Sequence, residues 1–132
     1  MRRWIFAIFL AALAGMAQAQ SDTIEATIQS QIEAFRADDV ATAFGYASPS
    51  IRGIFETPEN FGAMVRGSYP MVWRPETVEF GALREVAGRL WQRVILRDAE
   101  GRLHALDYQM IETEGGWRIN GVQLLQAPGV GA

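Results

Sequence analysis

The periodicity of apolar residues changes at Pro75, and this change constrains the fold more than any other feature of the sequence. Before this proline, apolar side chains recur every three or four positions, as at Ile24, Ile28, Ile32 and Phe35, and such spacing predicts amphipathic helices. After it, apolar and polar residues alternate, which is typical of half-buried strands. Helices followed by strands predict an α+β domain, with N-terminal helices packed on a curved antiparallel four-strand meander.

Short signatures indicate where the helices begin and end. Asp22 is followed three positions later by a glutamate, a capping pattern that predicts the start of a first helix of about four turns. Asp39 offers a second cap, while Ser48 and Thr57 each precede a proline, an arrangement that favours a helix start. The last of these helices is predicted to stop at Pro70, because proline disfavours helix in the residue before it.

The second half of the chain is predicted to form four strands joined by tight turns. In the first strand, Val78, Phe80 and Ala82 share one face. Glycine-containing turns separate the later strands. These strands are assigned to residues 89–97, 102–112 and 117–126.

The stretch GSYPMVWRPETVEF, residues 67–80, joins the helices to the sheet. Its two prolines favour a stiff corner, since each restricts the backbone of the residue before it. Met71 and Val72 are expected to tuck into the core, with a short edge strand as one option. If a binding site exists, the residues near its edge are Tyr69, Trp73 and Arg74.

The first nineteen residues have the pattern of a secretory signal peptide. Two arginines precede the apolar run WIFAIFLAALAG, and Ala17 and Ala19 stand where a signal peptidase accepts small residues. We predict cleavage after Ala19, since an uncleaved anchor would need about twenty apolar residues. The mature protein is then periplasmic or secreted without a stable membrane anchor. It is expected to have one domain over residues 20–126 and a flexible tail over residues 127–132.

Composition and charge argue against several classes of function. Cleavage would remove two of the twelve basic residues and none of the fifteen acidic ones, which leaves a net charge of −5. The remaining arginines are scattered singly, which argues against a nucleic-acid partner. The absence of cysteine excludes disulfides, thiol nucleophiles and iron–sulfur ligation. Helix capping accounts for Asp38 and Asp39, and the chain has a single histidine, so we expect neither a metal site nor a cofactor.

Several segments resemble a known family. They are AFRADD at the end of the first helix, AFGYASPSIRGIF and PENFGAMVRGSYP in the helical half, and DYQMIETEGGWRINGVQLL in the last strands. Together they are similar to a bacterial family labelled domain of unknown function 4864, over about residues 22–125. That family is grouped with the nuclear-transport-factor-2-like superfamily, so the resemblance implies a cone-like α+β fold. The superfamily includes isomerases, dehydratases, cyclases and hydrolases beside members that only bind or assemble, so the resemblance implies no particular reaction.

The third strand holds the densest cluster of groups that could transfer protons, His104, Asp107 and Tyr108. Strand alternation places His104 and Tyr108 on one face and Asp107 on the other. Bulky Leu106 and Met110 favour the first face as the core, so His104 and Tyr108 could share a cavity as an acid–base pair. The alternative is a strand-end histidine near the hairpin and a core tyrosine, and the spacing alone favours this alternative.

A ligand pocket would combine aromatic side chains with a few convergent polar groups. Gln92 is the most informative polar candidate, because an unpaired amide on the inner face would need a partner, a water or a ligand. A register that turns Trp91 and Ile95 inward and Gln92 outward is equally compatible with the sequence. The candidates for ligand contact are Tyr46, Tyr69, Trp73, Arg74, Gln92 and Tyr108.

The sequence leaves three functions open. The first is a non-catalytic exported domain that binds a small apolar ligand or a protein partner. The second is a cone-cavity enzyme of the isomerase, dehydratase or cyclase type, and the third is a dimeric accessory protein whose sheet face pairs with a second copy. The sequence offers no convincing buried carboxylate base, which favours the first and the third.

Overall fold

The computed structural model describes residues 2–125, and side chains from residue 15 onward. In this part of the chain five helices precede four strands, which confirms the predicted α+β class and the order of its two halves. The helices are α1 (Arg2–Arg36), α2 (Val40–Gly45), α3 (Pro49–Phe55), α4 (Pro58–Ser68) and α5 (Pro70–Trp73). The strands are β1 (Thr77–Val86), β2 (Arg89–Arg97), β3 (Leu103–Thr113) and β4 (Gly116–Leu125). The tail predicted over residues 127–132 lies outside the described residues.

Helix α1 starts earlier than its sequence signature indicated. It continues without interruption from Arg2 through Asp22, so Asp22 is not an N-cap in the full-length chain and that prediction is wrong. The Asp22 carboxylate instead accepts a hydrogen bond from Gln18 Nε2 at 2.9 Å within the helix. The capping signature is local, whereas the alanine- and leucine-rich residues before it are themselves good helix formers. None of the helices in residues 2–125 combines the length and the apolar content that crossing a membrane requires.

The apolar stripe of α1 lies at the centre of the core, as its spacing predicted. Ile24, Ile28, Ile32 and Phe35 are fully buried. Burial of each of these side chains stabilises the fold by about 1.5–3 kcal/mol. They belong to one cluster with the inner sheet residues Val94, Leu96, Leu106, Tyr108 and Met110.

Three of the short helices begin at the capping residues that the sequence indicated. The side chains of Asp39, Ser48 and Thr57 each accept a hydrogen bond from the backbone N–H three residues further on. Met71 and Val72 lie in the one-turn helix α5, so the option of an edge strand there is wrong. A proline at the first helical position favours this turn.

The four strands form one antiparallel sheet in the order β1–β2–β3–β4. The register pairs Val94 with Leu106 and Gln92 with Tyr108. All four of these side chains are fully buried on the inner face. The inward orientation of Gln92, one of the two registers that the sequence allowed, is therefore the observed one.

A bulge interrupts β1 between Phe80 and Leu83. It shifts the alternation by one residue, so Leu83 packs against the core and Ala82 is exposed. The prediction that Ala82 shares one face with Val78 and Phe80 is therefore wrong. A bulge also leaves a backbone group outside the strand ladder; here Gln92 Nε2 donates to the Gly81 carbonyl at 2.9 Å.

Residues 46–48 form a short bridge to the edge of β4. The Ile119 N–H donates to the Tyr46 carbonyl at 2.9 Å, and the Ser48 N–H donates to the Ile119 carbonyl at 2.8 Å. Ser48 Oγ also donates to Asn120 Oδ1 at 2.7 Å. These contacts fix the start of α3 against the sheet.

Candidate functional site

A cavity of about 280 Å³ lies between the helices and the inner face of β3 and β4. Most of its wall is apolar, because it is the unfilled part of the same core that holds the helices on the sheet. Helices α1, α3 and α4 and strand β4 contribute wall residues such as Phe35, Ile51, Phe55, Phe61, Val65 and Ile119.

The polar groups of this wall are few and uncharged. Among the described residues that line the cavity, none carries a carboxylate, an imidazole or a basic group. The polar side chains of the wall are Gln31, Tyr69 and Tyr108. The chemistry available to these side chains is hydrogen bonding rather than proton abstraction at neutral pH.

Tyr108 on β3 is fully buried, and its hydroxyl has no hydrogen-bond partner among the described residues. Burial raises the pKa of the Tyr108 phenol, and the nearby Tyr69 adds to that rise. The phenol therefore stays protonated and can donate a hydrogen bond. A buried tyrosine hydroxyl ordinarily has a partner, so this group needs an explanation beyond packing.

Gln31 was not among the predicted site residues, although α1 places it in the wall of the cavity. Its side chain is buried, and its Nε2 donates to the Ala43 carbonyl at 3.1 Å. The signal that could have found it is its spacing, since Gln31 follows Ile28 by three residues and precedes Phe35 by four. A polar residue at such a position of an apolar stripe faces the core.

Helix α3 forms the loosest wall of the cavity. Ile51 and Phe55 line the cavity, but none of the residues of α3 is fully buried. After Phe55, Glu56 adopts φ +70° and the Thr57 N–H donates to the Phe55 carbonyl at 2.8 Å. This is a γ-turn with positive φ, which is strained for a residue other than glycine. Helix α3 is therefore held firmly against β4 at Ser48, whereas the chain leaves the other end of the helix through a strained turn.

His104 lies near the start of β3, beside the turn between β2 and β3. Its Nε2 lies 2.8 Å from Asp98 Oδ2. The hydrogen bond with His104 and another from the Arg102 N–H lower the pKa of the Asp98 carboxyl. His104 does not line the cavity, so the structure does not bring it together with Tyr108 there.

Asp107 lies on the outer face of β3, on the side of the sheet away from the cavity. Arg84 Nη2 donates to its Oδ2 at 2.7 Å, and Arg93 Nε donates to its Oδ1 at 2.8 Å. Burial alone would raise the pKa of the Asp107 carboxyl, but the two guanidinium groups outweigh burial and hold that pKa below its ordinary value. The contact also raises the pKa of Arg93. The carboxylate is thus charged and paired at neutral pH.

Gln92 is buried beside Tyr108 but does not line the cavity. Its Nε2 donates to the carbonyls of Gly81 and Arg93, at 2.9 and 3.0 Å. Its Oε1 has no partner among the described residues. The amide nitrogen of Gln92 therefore binds the backbone at the bulge of β1, which accounts for the donor half of this side chain alone.

Of the other candidates, Trp73 and Arg74 have structural contacts. Trp73 is buried, with its ring centroid 5.4 Å from that of Phe35. Arg74 lies against the Trp73 ring and donates to the Phe35 carbonyl and to the Asp38 carboxylate. Tyr46 contributes its backbone to the bridge with β4. Of the six predicted ligand contacts, the two that line the cavity are Tyr69 and Tyr108.

A second, wider depression of about 470 Å³ lies beside the β1–β2 and β3–β4 turns. Glu85, Arg89, Glu112 and Trp117 are among the residues that line it. Neither of the two partnerless buried polar atoms found in residues 15–125 faces it. The same residues contain no group of three or more histidine, cysteine or acidic side chains that could hold a metal ion.

Comparison with known proteins gives one match. A family model described as "Domain of unknown function (DUF4864)" matches residues 17–132. No curated protein and no solved structure matches the chain.

Proposed function

The chain belongs to the family described as Domain of unknown function (DUF4864), and from that premise we propose that it is an exported protein that binds a small apolar molecule in the cavity between its helices and its sheet. The observation that carries this proposal is the apolar cavity itself, since small-molecule sites are concave and lined mostly by apolar and aromatic side chains with a few polar groups.

The volume limits the size of the ligand. Small-molecule sites typically measure about 300–1,000 Å³, so a cavity of about 280 Å³ lies near the lower limit. An apolar cavity of about 150 Å³ accepts a single benzene ring. One or two fused rings, or a branched aliphatic compound of similar volume, therefore fit better than a long acyl chain.

The wall favours binding without turnover. An isomerase or dehydratase needs a base within hydrogen-bond reach of the substrate, and His104 and Asp107, the predicted candidates, point to other surroundings. A charged ligand would also be unfavourable, because the described wall offers no opposite charge to pair with it.

Export is supported by the leader pattern, and the family match begins at residue 17, so most of the leader lies outside it. Cleavage after Ala19 would cut α1 near Asp22. The capping pattern at Asp22 would then lie at the new helix start, where it can stabilise the mature chain. Intact-mass measurement of protein from a periplasmic fraction tests this: the expected first residue is Gln20, and a mass that retains the leader contradicts export.

Titration of the mature protein with indane, a fused bicyclic hydrocarbon, tests the cavity. Val122 lines the cavity and is half-buried on β4, so Val122→Phe places a ring in the binding volume. Val86 is exposed at the end of β1, and Val86→Phe is the matched control. We expect saturable binding by the wild type and Val86→Phe, and affinity at least about tenfold weaker in Val122→Phe, which is a loss of about 1.4 kcal/mol or more.

Two outcomes contradict the proposal. One is that an NMR titration shows no saturable chemical-shift changes at the cavity residues up to the solubility limit of indane. The other is equal binding by Val122→Phe and the wild type, which would place the hydrocarbon elsewhere. Mass spectrometry of molecules extracted from the purified mature protein then identifies the natural ligand, with an uncharged compound of one or two rings as the expected class.

A further inference from the structure

The structure contains a hydrogen-bond donor that the apolar wall alone does not explain. Tyr108 is fully buried and lines the cavity, and its hydroxyl has no partner among the described residues. Phenylalanine would fill the same space without leaving a buried polar group unpaired. Buried polar groups are paired in the great majority of cases, because an unpaired one loses its hydrogen bonds to water without compensation.

The other polar side chains of the wall, Gln31 and Tyr69, also favour the Tyr108 hydroxyl as the donor to a ligand. The Gln31 amide donates to the Ala43 carbonyl, so part of its donor capacity is already used. Tyr69 lines the same cavity and lies close enough to affect the charge state of Tyr108. Both effects on Tyr108, its burial and the neighbouring phenol, favour the protonated form that donates a hydrogen bond.

On these observations, which rest on the proposed function, we propose that the cavity ligand carries one uncharged hydrogen-bond acceptor, a carbonyl-type oxygen, that binds the Tyr108 hydroxyl. The ring system of the ligand then lies against the apolar wall formed by residues such as Phe55, Phe61 and Val65. A ketone, ester or lactone oxygen fits this arrangement. A carboxylate does not, because the described wall has no cation to balance its charge.

The test compares two probes that share one skeleton, indane and 1-indanone, in the wild type and in Tyr108→Phe. The quantity measured is the ratio of the dissociation constant of indane to that of 1-indanone. We expect this ratio to fall by about tenfold in Tyr108→Phe, as the loss of one hydrogen bond to a buried hydroxyl implies. Tyr69→Phe tests the other phenol of the wall, and Tyr46→Phe, a tyrosine that does not line the cavity, is the matched control and is expected to retain the ratio.

A spectroscopic measurement identifies the contact directly. The carbonyl stretching band of bound 1-indanone is expected at a lower frequency in the wild type than in Tyr108→Phe, because a donated hydrogen bond weakens the C=O bond. Tyr108→Phe is expected to fold, since it removes an unpaired buried hydroxyl and keeps the ring. Urea denaturation without ligand checks that expectation.

The outcomes separate the two proposals. A ratio that falls in Tyr108→Phe, with a shifted band, supports both. An unchanged ratio, or one that falls only in Tyr69→Phe, overturns the assignment to Tyr108, while binding of indane still supports the apolar cavity. If neither probe binds the wild type, the proposed function fails, and this inference fails with it.

Discussion

Replacement of Asp107 by asparagine distinguishes a structural carboxylate from a catalytic one. The Asp107 side chain is only 8% exposed, while those of Arg84 and Arg93 are 33% and 36% exposed. Hydrogen bonds to a charged group each contribute about 1.5–3 kcal/mol. Breaking a fully buried ion pair costs about 3–5 kcal/mol. Both guanidinium groups remain in contact with water, and asparagine can still accept one hydrogen bond. We therefore expect Asp107→Asn to lower the unfolding free energy by about 2 kcal/mol, near the lower limit of these ranges.

The matched control is Asp38→Asn. Asp38 pairs with Arg74 at 2.5 Å, but the two side chains are 71% and 43% exposed. An exposed pair contributes less than about 1 kcal/mol. Asp38 also has φ +56°, a conformation that asparagine tolerates well, so the control introduces no strain. Urea denaturation of the wild type and the two variants gives both changes in unfolding free energy.

The difference in unfolding free energy between the wild type and Asp107→Asn depends on pH with a definite sign. The pKa of Asp107 is lower in the folded protein than its ordinary value, so the paired carboxylate stabilises the fold at pH values above its unfolded pKa of about 3.9. This stabilisation is lost as the pH falls through the lower, folded pKa. The difference between wild type and Asp107→Asn should therefore be constant from about pH 5 to pH 8 and shrink in acid.

Equal destabilisation by Asp107→Asn and Asp38→Asn would refute the reasoning, because burial of the carboxylate would then contribute nothing. A normal unfolding free energy together with lost ligand affinity would refute it differently, by making Asp107 part of the binding site. We expect indane to bind Asp107→Asn with unchanged affinity, since this side chain lies on the outer face of the sheet.

Further predictions concern the core, two glycines and the bulge. Trp73→Ala should cost about 3–5 kcal/mol in urea denaturation, since the ring is buried against Phe35; loss of indane binding with unchanged stability would show that the aromatic corner is a binding edge instead. Gly53→Ala should raise the unfolding free energy by up to about 1 kcal/mol, because a Cβ there meets nothing within 4 Å. Gly81→Ala should lower it, since the new Cβ would lie 3.0 Å from a side-chain carbon of Arg93 and Arg93 cannot move away without disturbing its bond to Asp107; the reverse order of the two variants contradicts the contacts described. Gln92→Glu should destabilise at neutral pH, because the new buried carboxylate would lose both amide hydrogen bonds. Burial raises the folded pKa of such a group, so stability should be regained as the pH falls toward its unfolded pKa of about 4.3, and a flat pH profile contradicts this.

The features that the sequence predicted correctly depend on residues close together along the chain. The caps at Asp39, Ser48 and Thr57 each need one side chain and a backbone group three residues away. The stripe of α1 needs only its own spacing. The second strand, residues 89–97, matches β2 residue by residue, because its alternation and flanking turns are local signals.

The features that were missed depend on contacts between distant segments. The inner face of β1 shifts at a bulge whose glycine packs against Arg93 of the neighbouring strand, and nothing near Gly81 in the sequence indicates that partner. The corner at residues 69–75 is fixed by Arg36 Nη2, which donates to the Pro75 carbonyl across 39 positions. The cavity combines side chains from four helices and two strands, so its volume could not be predicted from any one segment.

The bridge between residues 46–48 and β4 has a consequence for association between chains. An exposed strand edge is a template on which another chain can add a strand. On β4, Ile119 already uses its N–H and carbonyl within the chain, so these two groups cannot pair with another strand. On the opposite edge, the bulge between Phe80 and Leu83 breaks β1 into two short ladders. Both edges of the sheet are thus interrupted as templates, which disfavours strand-to-strand pairing of this domain with neighbouring copies.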